Sequence, residues 1–189
     1  MESQSLLARG PETATLPRIP CSVFEGLFLR GLQAPAALVQ VLAQEGYDSR
    51  CPEVSYPVAM WKRCVERARY LLHPEQSDAE AYRLLGRKLT EGFTETLVGR
   101  VAAVALPMIG AGRVVERLPR YLALMGRPDL EVRMVAVGER ARSISVPDQY
   151  NRPEFIAGAL EVAIERAHAR PNILVEERSP QGFRLLVRW

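Results

Sequence analysis

Few side chains in this sequence are suited to chemistry, and their spacing argues against it. The two histidines, His73 and His168, each stand at the end of a helical pattern beside a proline turn. There a histidine suits the negative end of the helix dipole and implies no reaction. The three cysteines, Cys21, Cys51 and Cys64, are odd in number and unpatterned, so they read as reduced thiols and not a disulfide frame. No GxSxG, HExxH or CxxC run is present. Gly110-Ala111-Gly112-Arg113 precedes a helix, as a phosphate-binding turn would, but Leu106-Pro107-Met108-Ile109 is a poor strand before it and Val115 replaces the third glycine. A helix–helix turn explains these glycines better. Glu91, Glu95, Glu116, Glu176 and Glu177 are too dispersed to suggest a metal site, and Arg184 and Arg188 read as the solvated face of a strand. The chemistry-bearing residues thus name no catalytic residue, no metal ligand and no cofactor. The remaining candidates are apolar. Phe24, Phe28, Trp61, Tyr82, Phe93, Met108 and Tyr121 lie on or near the stripes of the helical half, and would line a ligand pocket if that half encloses one. Tyr70 falls among them by position.

The elements that must hold these residues are readable from period. Phe155, Ile156, Ala159, Leu160, Ala163, Ile164 and Ala167 recur at helical spacing and predict a helix over 153–168. Pro153 suits its first turn, and Gly158 in its middle suggests close approach of the backbone to a sheet. Glu154 and Glu161 fall off the stripe. Phe183, Leu185, Val187 and Trp189 alternate with Arg184, Leu186 and Arg188, a strand with one buried face. Ser179-Pro180-Gln181-Gly182 is a turn that pairs this strand with 173–178. Two further strands, 131–137 and 142–146, flank Gly138-Glu139-Arg140 as a hairpin.

The first half reads as helix throughout. Residues 19–32 are apolar and fit helix or strand, with Val23, Phe24, Leu27 and Phe28 favouring helix. Helices are predicted over 35–44, over 56–72, from a capping box at Ser77-Asp78-Ala79-Glu80 with Ala81, Leu84, Leu85 and Leu89 inward, over 94–105, and over 114–125. Gly92, the stretch 107–112 and Pro119 are read as breaks or kinks. Gly126-Arg127-Pro128-Asp129 is a turn between the halves. The expected fold is α+β: a helical part at 18–126, then a ββαββ unit at 130–189 forming a four-stranded antiparallel sheet covered by a helix, the whole a single domain behind a flexible tail at 1–17. At 48% hydrophobic and 25% charged the composition is that of a soluble globular protein. The net charge of +3 is too mild for nucleic-acid binding, and no apolar run is long enough for a membrane span. No secretory signal opens the sequence, so a cytoplasmic protein is expected.

The run PEFIAGALEVAIERAHARPNILVEERSPQGFRLLVRW resembles the closing segment of the superfamily of heme-NO-binding domains, vinyl-reductase-like domains and transport-particle subunits. There a helix with a small–glycine–aliphatic run precedes two antiparallel strands, the second rich in aromatic residues. Ala157-Gly158-Ala159-Leu160 and the stretch from Phe183 to Trp189 hold those places. More closely, IPCSVFEGLFLRGL, YPVAMW, LGRKLTEGF, LPRYLALMG and PEFIAGALE together resemble a myxobacterial family of uncharacterised proteins of about this chain's length, over residues 18 to 189. The superfamily resemblance implies a non-enzymatic sensory or small-molecule-binding module or, by the transport-particle relation, a scaffolding subunit that pairs as a homodimer. Heme-NO-binding members hold iron through a histidine on the helix before the sheet. The matching stretch, 114–125, has none, so the expectation is a heme-free pocket. Vinyl-reductase-like members often carry cysteines about the last hairpin, where Ser179 and Arg184 stand here, so the resemblance implies no metal or redox role.

Overall fold

A computed structural model of the chain describes residues 16–104 and 106–189. The tail expected at 1–17 lies outside them except for Leu16 and Pro17, and the carbonyl of Pro17 accepts a hydrogen bond from the Val58 N–H. The chain then forms β1 (Arg18–Pro20) and a short α1 (Cys21–Phe24) that widens into a π-helical stretch, Glu25–Gly31. Next come α2 (Ala36–Gln44), β2 (Ser55–Pro57), α3 (Val58–Leu72) and α4 (Asp78–Phe93). α5 (Leu97–Val104), α6 (Leu106–Glu116) and α7 (Leu118–Leu124) complete the helical half. The second half is β3 (Arg133–Gly138), β4 (Ala141–Val146), α8 (Pro153–Arg166), β5 (Asn172–Ser179) and β6 (Gly182–Arg188).

The α+β architecture and the ββαββ order agree with the sequence reading. The four late strands form one antiparallel sheet in the order β3-β4-β6-β5. Met134, Ile144, Leu185 and Val175 stand in register across it and face the core, as do Val187 and Ile173. The helical half is not all helix, however. β1 and β2 pair antiparallel through three residues each, too short a run to show a period in the sequence. α4 starts at the expected capping box: the Ser77 hydroxyl accepts from the Glu80 N–H, and the Glu80 carboxylate accepts from the Ser77 N–H. It ends at Phe93, one residue past Gly92, close to the expected break, and leaves Leu84 at the surface. The break at 107–112 is a kink at Gly110, whose φ of 73° suits glycine and strains any other residue. Pro119 opens α7 instead of kinking a longer helix.

α8 is buried almost all round, with ten of its 14 residues inaccessible. It packs against β5 and β6 and most extensively against α4. The close approach expected at Gly158 is therefore to a helix and not to the sheet: a methyl group there would collide with the Arg83 carbonyl, and one at Gly86 of α4 with the Phe155 carbonyl. Charge reinforces this contact. Arg83 and Arg87 of α4 pair with Glu161 and Glu165 of α8 at 2.8–3.2 Å. Glu154, read as lying off the stripe, is buried and accepts a hydrogen bond from Arg178 of β5.

Candidate functional site

Between α4, α5–α7 and α8 lies an apolar cavity of about 100 Å³. The helical spacing that makes α4 and α8 amphipathic puts Leu89 and Phe93 on one wall and Phe155, Ile156, Leu160 and Ala163 on another. Leu106, Leu118, Tyr121, Leu122 and Met125 close it from α6 and α7, and Gly99 and Ala103 from α5. Trp61 of α3 reaches its rim.

Of the seven residues expected to line a pocket, Trp61, Phe93 and Tyr121 do so. Phe24 and Phe28 are fully buried next to it, in an aromatic cluster with Tyr47, Tyr56 and Trp61 at ring separations of 4.7–6.0 Å. Edge-to-face and tilted pairs of this kind stabilise a core beyond their buried area. Tyr82 lines a separate cleft of about 260 Å³, between α3, the start of α8 and the β5–β6 turn, where the Arg152 guanidinium lies over its ring. Met108 lies outside this cavity at the surface, 85% exposed. Tyr70 is exposed as well.

The polar end of the cavity was not legible as such. Arg127, read as part of a turn, is buried, and its guanidinium donates to Asp129 twice at 2.9 Å and to Asp148 at 2.9 Å. Asp148, also buried, accepts from the backbone N–H groups of Tyr150 and Asn151 and from the Asn151 amide at 2.7 Å. The Asn151 carbonyl oxygen in turn accepts from the Trp61 indole N–H at 3.0 Å. A chain of hydrogen bonds thus ties the turn after α7, the loop before α8 and α3 together, and three of its members, Arg127, Asn151 and Trp61, border the cavity. Burial pulls the Arg127 guanidinium down, but the hydrogen bonds and charges of Asp129 and Asp148 outweigh it and raise the group overall. The hydrogen bond from Arg127 holds Asp129 below the usual carboxylate range. The threonine hydroxyls on the wall are also engaged: Thr90 donates to the Ala159 carbonyl and Thr94 to the Glu91 carbonyl.

No histidine or cysteine lines this cavity. His73 caps the end of α3, and His168 follows α8 with a positive φ. Burial raises the Tyr121 phenol above its ordinary value and pushes the Cys64 thiol, inside the aromatic core, up to about 12. Among the described residues, no group of three or more His, Cys, Asp or Glu could hold a metal ion.

The family model "Protein of unknown function (DUF2378)" matches residues 18–189. The chain belongs to the DUF2378 family. No curated protein matches this DUF2378 member. Its fold is that of solved H-NOX proteins. The Fe(II) unliganded H-NOX protein from K. algicida superimposes with a TM-score of 0.64 at 9% identity, over 90% of this chain and 95% of that one. An oxygen-binding H-NOX domain related to soluble guanylate cyclases, in its oxygen complex, gives 0.62 at 15% identity, over 89% and 90%. A structure solved in work on heme redox potential and porphyrin distortion gives 0.64 at 13%, over 88% and 97%. At these identities the likeness establishes the fold and nothing finer.

Proposed function

We propose that this DUF2378 protein is a non-enzymatic sensory or small-molecule-binding module whose ligand is a small uncharged apolar molecule, held without heme in the cavity that α5–α7 close against α4 and α8. One observation carries this reading: the wall is mostly apolar, and Trp61, Thr90, Arg127 and Asn151 at its edge are already hydrogen-bonded within the protein. A charged or strongly polar ligand would lose its own hydrogen bonds on entering. Size sharpens the class. An engineered apolar cavity of about 150 Å³ accepts benzene, so about 100 Å³ suits a molecule of that size or smaller, or a slender chain.

The residues present do not fit heme. A heme iron needs an axial nitrogen, thiolate, thioether or phenolate donor. No histidine lines the wall, and Tyr121 is held in its neutral form by burial. Met125 is the one thioether on the wall and has no histidine opposite it. A porphyrin would also have to displace the helices that close a space smaller than a benzene site. The unpaired Cys21, Cys51 and Cys64 suit a reducing compartment such as the cytoplasm.

Thermal unfolding with benzene or the slightly smaller thiophene, against benzoate as the charged control, tests the proposal. At a hundredfold excess over Kd a bound ligand adds about 2.7 kcal/mol, which is about 5–10 °C in a chain of this length. The neutral ligands should give that shift and benzoate should not; equal, null responses would remove the cavity reading. Hemin that stays bound through gel filtration with an iron–porphyrin absorption band would remove its heme-free part. A second reading, a homodimeric scaffold, is favoured by β3, whose Val135 and Val137 are exposed on the edge of the sheet. Light scattering of wild type and Val135→Lys separates it: a dimer dispersed by the lysine supports pairing along that edge.

A further inference from the structure

α5 has two faces. Gly99 and Ala103 turn toward the cavity. On the other side stand Leu97, Val101 and Val104, followed in α6 by Met108, and these are 85%, 79%, 74% and 85% exposed. The spacing of four and three residues puts Leu97, Val101 and Val104 in one stripe along α5, and Met108 of α6 adds a fourth exposed apolar side chain soon after it in sequence. Val98, at 43% exposed, widens it. Scattered surface aliphatics are ordinary, but a contiguous row of this kind marks a surface that something covers.

The charge of the segment that carries the stripe indicates what does. Residues 97–124 carry four arginines, Arg100, Arg113, Arg117 and Arg120, against one glutamate, Glu116. This segment alone amounts to the chain's formal net charge of +3, and the remaining residues balance to zero. Arg100, Arg113 and Arg120 are exposed. The one acid is engaged by Arg142 of β4 at 3.4 Å. A second copy of the chain is a poor match to this surface. The stripe ends at the Gly110 kink, far short of the three to four heptads a helical seam requires, and its flank presents an arginine that would face its own image. An aliphatic row with the exposed Arg100 on the same helix, in a segment whose arginines outnumber its acids, matches a different solvent, the boundary between acyl chains and anionic headgroups.

We propose that the outer face of α5, with Met108, seats the protein on an anionic lipid surface. The helix lies in the plane of the interface: no helix among the described residues is long and apolar enough to cross a bilayer. Leu97, Val101, Val104 and Met108 enter the acyl boundary while Arg100, on the same helix, meets phosphate groups. Because Gly99 and Ala103 occupy the opposite side of the same helix, the seat sets the cavity one helix thickness from the bilayer. Where the cavity reading above holds, apolar ligands partition into it from the lipid.

Flotation of the full-length chain with vesicles tests the seat, comparing phosphatidylcholine alone with an equal mixture of phosphatidylcholine and phosphatidylglycerol. Wild type should float with the mixture, weakly with phosphatidylcholine, and less as salt rises. Val101→Asp/Val104→Asp should lower the bound fraction more than about tenfold, and Arg100→Gln about fivefold. If the aspartate pair fails to fold by circular dichroism, Val101→Ser/Val104→Ser carries the same comparison. No flotation with either vesicle, or flotation unchanged by the valine substitutions, overturns the proposal. So does a wild-type dimer that those substitutions convert to monomer, which would assign the stripe to a second copy. The benzene shift in vesicle-free buffer reports the cavity separately: flotation without it leaves the seat standing and removes the cavity reading, and the shift without flotation does the reverse.

Discussion

α8 and α5 are both rich in small and aliphatic residues, and the fold treats them in opposite ways. α8 is covered on nearly every side, down to a glutamate in its first turn, because the sheet and α4 close on it from different directions and Arg178 neutralises Glu154. α5 has the cavity on one side and solvent on the other, and four of its eight residues, Leu97, Val98, Val101 and Val104, are exposed aliphatics. Apolar content alone therefore does not decide burial. What decides it is how many elements the topology brings to a helix, and the sheet supplies that partner only to α8.

The contrast can be broken most forcefully at the ion-pair chain that anchors the entry to α8. Arg127→Met leaves Asp148 buried without its cation and should cost about 3–5 kcal/mol in denaturant unfolding; Arg127→Met/Asp148→Asn should recover part of that loss. A smaller loss near that site would mean that water reaches Asp148. Next comes Gly158→Ala, which forces a methyl group into the Arg83 carbonyl and should cost about 3 kcal/mol. On the α5–α6 side, Gly110→Ala meets open space and only the strain of its positive φ, so the expected loss is about 1–2 kcal/mol. Val101→Ala, at an exposed site, should change stability by less than about 0.5 kcal/mol. Gly110→Ala costing more than Gly158→Ala would invert the comparison.

The mildest test is titration. Asp129 has its folded value depressed by the Arg127 hydrogen bond. Its contribution is therefore fully present above the ordinary aspartate value and is lost as pH falls below it toward the folded value. Asp129→Asn should flatten the acid limb of the stability curve, and an unchanged acid limb would show the pair to be energetically idle.

What the sequence displays is what repeats locally. The α8 stripe, the alternation of β6, the turn at 179–182 and the Ser77 cap each depend on residues within a few positions of one another, so spacing reveals them. Arg127 looks like a turn residue because its partner Asp148 lies 21 residues further on, and Glu154 looks exposed because Arg178 lies 24 away. The pocket was half visible for the same reason. Trp61, Phe93 and Tyr121 were found as aromatics on stripes, whereas Met108 follows a stripe of good period that faces away from the core. A period states that a face exists and leaves open which side of the fold it meets. Leu118, Leu122 and Leu160 are ordinary core residues in sequence and became cavity wall only through the way α6, α7 and α8 meet.

The close approach of Gly86 to Phe155 and of Gly158 to Arg83 has a mechanical corollary. With backbone against backbone and arginine–glutamate clamps alongside, α4 and α8 have no clearance to slide and behave as a single stiff beam. Any breathing that admits a guest must come from the opposite wall, with the bend at Gly110 as its pivot.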